Sequence, residues 1–363
     1  MRDEECVLFL QSVLPQLHLR WPGFRKVRTQ VCKRIQRRIR LLALDGISGY
    51  RDYLEEHSDE WQILDALCRV SISRFYRDKQ MFAFLEQTVL PELAQLVMAR
   101  GDDCLKVWSV GAGAGEEPYT LAIIWQLQLQ QRFPDLRMQI VATDADPNMI
   151  QRSQAACYDY GSVKNFPESW RNQVFNLQNA RYCLKLEYKD AVQFRLHDVR
   201  QDFVGVMANE TIDLVLCRNL AFTYFDEPLQ QQIFVSLLGV LKKGGTLVIG
   251  IHEQLPQNAV GIRVWSERLR IFKKNGHSRK DKTMTKTPVS VGAPDPELKT
   301  SPILDEEDAE FEVLAQEVED LPVCYFNNVA YADGSYVCSG SGTLLKCQKG
   351  LWLQEGGCDP DNP

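Results

Sequence analysis

Val107-Trp108-Ser109-Val110-Gly111-Ala112-Gly113-Ala114-Gly115-Glu116-Glu117-Pro118-Tyr119 is the stretch on which the reading of this chain turns. An apolar run ends in three glycines spaced two apart and passes into an acidic, helix-forming segment. Glycine lets the backbone turn sharply and lets a ligand approach it, while the free amides at the following helix start attract an anion. Taken alone, such a turn suits a dinucleotide, and it also suits a plain strand-to-helix connection.

The flanking sequence repeats this strand-then-helix rhythm. Short apolar runs at Leu105–Val110, Met138–Thr143, Val192–Leu196, Ile212–Cys217 and Thr246–Ile251 predict strands, and Glu116–Gln131, Pro147–Ala156 and Pro228–Leu241 predict amphipathic helices between them. Alternation of this kind belongs to a parallel sheet with helical crossovers. Arg263–Lys273 predicts a closing antiparallel pair. The expected fold class is α/β, a Rossmann-like sheet. Between Asp159 and Lys189 lies an insertion in which Arg181–Tyr188 predicts a small β-hairpin arm.

Acidic residues follow two of the strands. Asp144 ends the second and is suited to hold both hydroxyls of a ribose. Asp146 precedes Pro147 and reads as a helix cap. Asp198, after the third strand, is placed to accept from an adenine amino group, or to cap its own loop.

The chain outside this region divides into three further parts. Residues 1–88 show helical apolar spacing, and Arg20 to Arg40 holds nine basic residues and no acidic one. Such a run is either a solvated helix face or a docking surface for an acidic protein partner. Residues 89–275 form the Rossmann-like domain. Residues 276–321, rich in Lys, Thr and Pro and then in acid, read as a flexible linker, with a short helix possible between Asp305 and Asp320. Residues 322–363 read as a small β module with Cys324, Cys338, Cys347 and Cys358, closed by two disulfides of open pairing or, less in keeping with spacings that lack a Cys-x-x-Cys knuckle, by zinc. The module offers no catalytic constellation and is read as an appended binding module with an unknown partner. No metal is expected elsewhere.

A formal net charge of -6 argues against a general nucleic-acid coat. No apolar run reaches the ~18 residues needed to span a bilayer, and the acidic start lacks a signal-peptide layout. The seven cysteines before residue 280 are scattered singly, as in a reduced cytosolic enzyme. A cytoplasmic protein is expected.

Four ordered segments carry a family resemblance: Ser71-Ile72-Ser73-Arg74-Phe75-Tyr76-Arg77-Asp78, Gly115-Glu116-Glu117-Pro118-Tyr119, Cys217-Arg218-Asn219-Leu220 with Tyr224-Phe225-Asp226, and Lys243-Gly244-Gly245 leading to Gly250-Ile251-His252-Glu253. Together they resemble the CheR-type methyltransferases over about Glu4 to Lys274, helical domain and inserted arm included. The resemblance implies S-adenosylmethionine as cofactor and a receptor glutamate side chain as methyl acceptor in a bacterial cytoplasm. It implies that Ser71, Ser73 and Arg77 line the cleft, together with Gly111 and Gly113 of the turn. Glu116 would bind the methionine amino end, Asp144 the ribose, Asp198 and Val199 the adenine, and Asn219 and Leu220 the middle of the cofactor. Arg77 and Tyr224 would handle the acceptor. His252 is expected to be a hydrogen-bonded structural residue.

The chain departs from the family pattern at Leu220-Ala221-Phe222-Thr223-Tyr224, where Phe222 and Thr223 are expected on the acceptor's path. Two other activities stay open beside the protein methyltransferase: a non-catalytic S-adenosylmethionine sensor or docking protein, and a methyltransferase for a small molecule. RNA methylation fits least, since the chain lacks interleaved aromatic and basic residues.

Overall fold

The computed structural model describes residues 3–71, 73–203, 211–275, 289–296, 298–301, 303–305, 323–332, 334–348 and 350–359. The chain divides into two compact units, Met1–His277 and Ser278–Pro363.

The first unit opens with α1 (Asp3–Val13), α2 (Trp21–Phe24), α3 (Arg28–Leu41), α4 (Gly46–Glu56) and α5 (Glu60–Cys68). On α3 the apolar residues Val31, Ile35 and Ile39 recur every four positions and are buried against Phe9, Leu10 and Val13 of α1. Arg38 donates through two nitrogens to Glu60, which also accepts from the Tyr50 hydroxyl at 2.8 Å. These helices share one core with Val215, Phe222, Phe234 and Leu247 of the following domain, so they cover one face of its sheet. That packing leaves the basic segment only partly free: Arg20, Arg28, Arg34 and Arg38 are spent on intrachain partners. Lys26, Lys33, Arg37 and Arg40 stay exposed.

After α6 (Lys79–Phe84) and α7 (Leu90–Ala99) come β1 (Cys104–Val110), α8 (Glu116–Ile124), β2 (Arg137–Asp144), α9 (Pro147–Ala155) and β3 (Cys157–Tyr158). Asp146 caps α9, accepting from the Asn148 amide at 2.9 Å, with Pro147 in the first turn, as expected. An arm follows, made of α10 (Tyr160–Val163), α11 (Glu168–Val174), β4 (Phe175–Gln178), β5 (Arg181–Leu184) and α12 (Leu186–Lys189). The hairpin arm expected from Arg181–Tyr188 with its neighbours forms between β4 and β5, which pair antiparallel across a two-residue turn. β5 is the middle strand of a β3-β5-β4 sheet, and residues 186–189 turn helical.

The domain closes with β6 (Val192–Leu196), β7 (Ile212–Cys217), α13 (Ala221–Tyr224), α14 (Glu227–Val240), β8 (Leu241–Ile249), β9 (Ile262–Ser266) and β10 (Ile271–Lys274). The main sheet runs β6-β2-β1-β7-β8-β10-β9; β10 is antiparallel to both neighbours and the other pairs are parallel. From β1 the chain builds outward through β2 to β6, then returns to add β7 and β8 on the other side. That reversal opens a crevice beyond the carboxyl ends of β1 and β7, the usual ligand position in such sheets.

Four of the cysteines read as single thiols are in fact paired. Cys6–Cys32 joins α1 to α3, and Cys157–Cys183 joins β3 to β5. Each pair is separated by 26 residues and meets only through helix packing or strand pairing. Cys68, Cys104 and Cys217 are free.

The second unit holds β11 (Val289–Gly292), β12 (Ile303–Asp305), β13 (Val323–Phe326), β14 (Val329–Ala332), β15 (Tyr336–Ser339), β16 (Thr343–Gln348) and β17 (Leu351–Gly357). Its sheet runs β11-β15-β16-β17-β12 beside a β13-β14 hairpin, over a core of Phe326, Val337, Leu345 and Trp352. The segment read as a linker therefore supplies two edge strands, β11 and β12, which are too short to show in composition. Residues 306–322, with most of the expected acidic helix, lie outside the described residues. Cys324 pairs with Cys347 and Cys338 with Cys358, which leaves no thiolate among them for zinc.

Candidate cofactor and acceptor cleft

The crevice beyond β1 and β7 is a cleft lined by residues of the helical domain and of the sheet's carboxyl ends. Its floor is the glycine turn. Gly111, Gly113 and Gly115 have φ of 68°, 56° and 92°, the left-handed region that side chains disfavour. A Cβ on Gly111 would lie 2.5 Å from Leu220 Cδ2, so any side chain there would also displace the Leu220 methyl. Asp144 secures the turn: one carboxylate oxygen accepts the Gly113 amide at 2.8 Å and the other the Asp146 amide at 2.9 Å. Each oxygen keeps a further lone pair for a ligand hydroxyl. Burial raises the Asp144 pKa, and the two amides oppose the rise.

Glu116 is 3% exposed and is not among the residues lining the cleft, and one of its oxygens has no hydrogen-bond partner among the described residues. The other accepts from Ser162 Oγ at 3.3 Å, and burial pushes the carboxyl above the usual range. The acid of this pair that lines the cleft is Glu117, which accepts from Ser109 Oγ and Arg218, each at 2.8 Å. Adjacent residues of a helix point about 100° apart, so the two acids meet different surroundings.

Asp198 and Val199 line the cleft with His197. The Asp198 carboxylate is engaged by Arg200, whose guanidinium also spans to Asp65 at 2.7 and 2.8 Å. Burial would raise the Asp198 pKa, but these charged hydrogen bonds outweigh it and hold the carboxyl low. Asp198, expected at the adenine, is thus part of an ion-pair cluster rather than a single unengaged acid. Sequence order gave no signal of it, since Asp65 and Arg200 are 135 residues apart.

Ser71, Ser73, Arg74 and Arg77 line the opposite wall, with Asn219, Leu220 and Tyr224 beyond the end of β7. Burial raises the Tyr224 pKa, and the nearby Arg77 charge opposes that rise. Phe222 and Thr223 do not obstruct the approach: Phe222 is fully buried and the Thr223 hydroxyl donates to Glu253 at 2.6 Å. His252 is exposed and has no hydrogen bond among the described residues, against the structural role expected for it. The carboxylate of that segment with a structural role is its neighbour Glu253, missed because it does not reach the cleft. Arg218, also missed, is buried between Glu117 and Asp78.

The chemistry of the wall fits S-adenosylmethionine. A glycine turn without side chains offers room for the cofactor's body, Asp144 offers ribose acceptors, and Glu117 offers a carboxylate toward an ammonium. This sheet order, with a glycine turn after β1 and an acid ending β2, defines a class I S-adenosylmethionine-dependent methyltransferase.

The family model described as CheR methyltransferase, SAM binding domain, matches residues 71–269, more than half of the chain, and the chain belongs to this family. A probable chemotaxis protein methyltransferase of Rhizobium etli is 31% identical over 63% of this chain and 85% of its own length. A chemotaxis protein methyltransferase of Listeria innocua is 32% identical over 52% of this chain and 68% of its own. Among solved structures, the N-methyltransferase NodS of Bradyrhizobium japonicum with S-adenosyl-L-homocysteine is 15% identical over 44% of this chain and 58% of its own, with a TM-score of 0.24. S-Adenosylmethionine is the methyl donor of this enzyme.

Proposed function

We propose that this enzyme methylates glutamate side chains of a chemotaxis-type receptor in the cytoplasm; its relatives named chemotaxis protein methyltransferases support a chemotaxis role. The observation that carries the reading is that Arg77 and Tyr224 line the same cleft as Asp144 and the glycine turn. Bound S-adenosylmethionine supplies a methyl group activated by its sulfonium. No general base is needed, because a glutamate with a reference pKa of about 4.3 is already ionised at neutral pH. Arg77 directs the acceptor carboxylate with its fork of donors, and the Tyr224 hydroxyl steadies one of its oxygens. Asp144 and Glu117 fix the donor end. Holding the two reactants in line contributes on the order of 7 to 11 kcal/mol to lowering the barrier.

The exposed residues Lys33, Arg37 and Arg40 form a basic stripe, since they share one face of α3. It complements a helix bearing several glutamates. Arg74, exposed at the cleft, adds a positive charge at its mouth.

The test is transfer from methyl-labelled S-adenosylmethionine into a purified receptor signalling domain, followed by mild base. Label that enters the protein and leaves as methanol identifies a carboxyl methyl ester. Binding without transfer to any protein or lysate component would make the chain a sensor, and label in a small product would replace the protein acceptor.

A further inference from the structure

Glu253 lies outside the cleft wall, yet it grips the segment that forms one side of it. It is 3% exposed. One carboxylate oxygen accepts the Asn219 amide at 2.8 Å and the Gly250 amide at 2.6 Å, and the other accepts the Thr223 hydroxyl at 2.6 Å. We propose that Glu253, acting with Thr223, is a positioning residue that sets Asn219 for the cofactor and Tyr224 for the acceptor; the proposal rests on the reading just given.

Three observations support it. Asn219 has φ of 54°, an uncommon state for a residue with a side chain, and its amide is held by Glu253. Gly250 is shaped to the same grip, since a Cβ there would meet Asn219 Nδ2 at 2.5 Å and Glu253 Oε2 at 2.8 Å. From the other side Arg20 binds the carbonyls of Phe222 and Thr223, and its amide donates to the Tyr224 carbonyl at 2.8 Å. The segment 219–224 is therefore clamped from both sides, and three of its residues, Asn219, Leu220 and Tyr224, line the cleft.

The chemistry predicts unequal effects. Glutamine at 253 keeps one oxygen for the two amides, and its NH₂ donates to Thr223, whose hydroxyl then accepts. Alanine leaves two buried amides without an acceptor. Valine at 223 removes one hydrogen bond at nearly constant volume.

The experiment measures S-adenosylhomocysteine binding by calorimetry, labelled-methyl transfer and thermal melting on the full chain. Glu253→Ala is expected to weaken binding about tenfold or more, and Glu253→Gln to stay within about threefold of the parent. Thr223→Val is expected to keep binding and lower kcat about fivefold. If the variants melt earlier while binding and kcat are unchanged, Glu253 merely stabilises the fold and the proposal fails. It fails equally if Glu253→Gln is as impaired as Glu253→Ala. Should Glu253→Ala not fold, the other two variants decide. A parent protein that neither binds nor transfers would overturn the underlying reading instead.

Discussion

Asp144 at the end of β2 accepts the backbone amide of Gly113 at 2.8 Å, so the acid suited to hold the ribose also braces the turn beneath the cofactor. Recognition and loop geometry are coupled through one carboxylate. Asp144→Ala should therefore weaken S-adenosylmethionine binding by at least about 2 kcal/mol, because hydrogen bonds to a charged group are each worth roughly 1.5 to 3 kcal/mol. Calorimetry would register this as a loss of about 30-fold. Unchanged affinity would remove Asp144 from the site.

Arg77 and Tyr224 are assigned to the acceptor, so Arg77→Ala should leave cofactor affinity within a few-fold of the parent and cut transfer by about 100-fold, the scale of losing an aligned charged partner. Lysine should not restore it, since an ammonium lacks the planar fork. Equal loss of binding and transfer would place Arg77 on the cofactor instead.

Glu116 supplies a pH prediction. Burial raises its folded-state pKa above the ordinary 4.5. The folded protein then holds a proton that the unfolded chain releases, and stability falls as pH rises from about 4.5 through the folded pKa. Glu116→Gln mimics the protonated form. Its melting temperature should match the parent near pH 4 and exceed it at pH 7, with S-adenosylmethionine affinity retained. A variant that loses affinity would return Glu116 to the cofactor site in place of Glu117.

The disulfide unit at the C-terminus is checked by peptide mapping without reduction, which should recover Cys324 with Cys347 and Cys338 with Cys358. The bonds close loops of 23 and 20 residues, each worth roughly 3 kcal/mol in the chain-entropy account. Replacing Cys338 and Cys358 by serine should lower the melting temperature of that unit markedly. Any other pairing would invalidate the strand register described for it.

Much of the enzyme domain was legible because its cues are local. The five parallel strands, the capping of α9 by Asp146 and the glycine turn each depend on residues within a few positions of one another, and the four ordered motifs name the family. Glu116 and Glu117 look alike in sequence as adjacent acids, and only the folded chain shows that Glu117 lines the cleft while Glu116 is buried. Asp198 was read in isolation because its partner network includes Asp65, which comes from the helical domain.

By itself, then, the sequence determined the α/β class, the domain that holds the donor and most of the residues that line the cleft, all set by short-range patterning and by glycine's freedom of backbone. Tertiary structure decided what long-range packing controls: that Glu117 rather than Glu116 lines the cleft, that Arg200 occupies Asp198, that Glu253 and Arg20 clamp the segment carrying Tyr224, and which cysteines meet. Those relationships join residues far apart in the chain, and no local propensity encodes a distance between two elements until the core between them has formed.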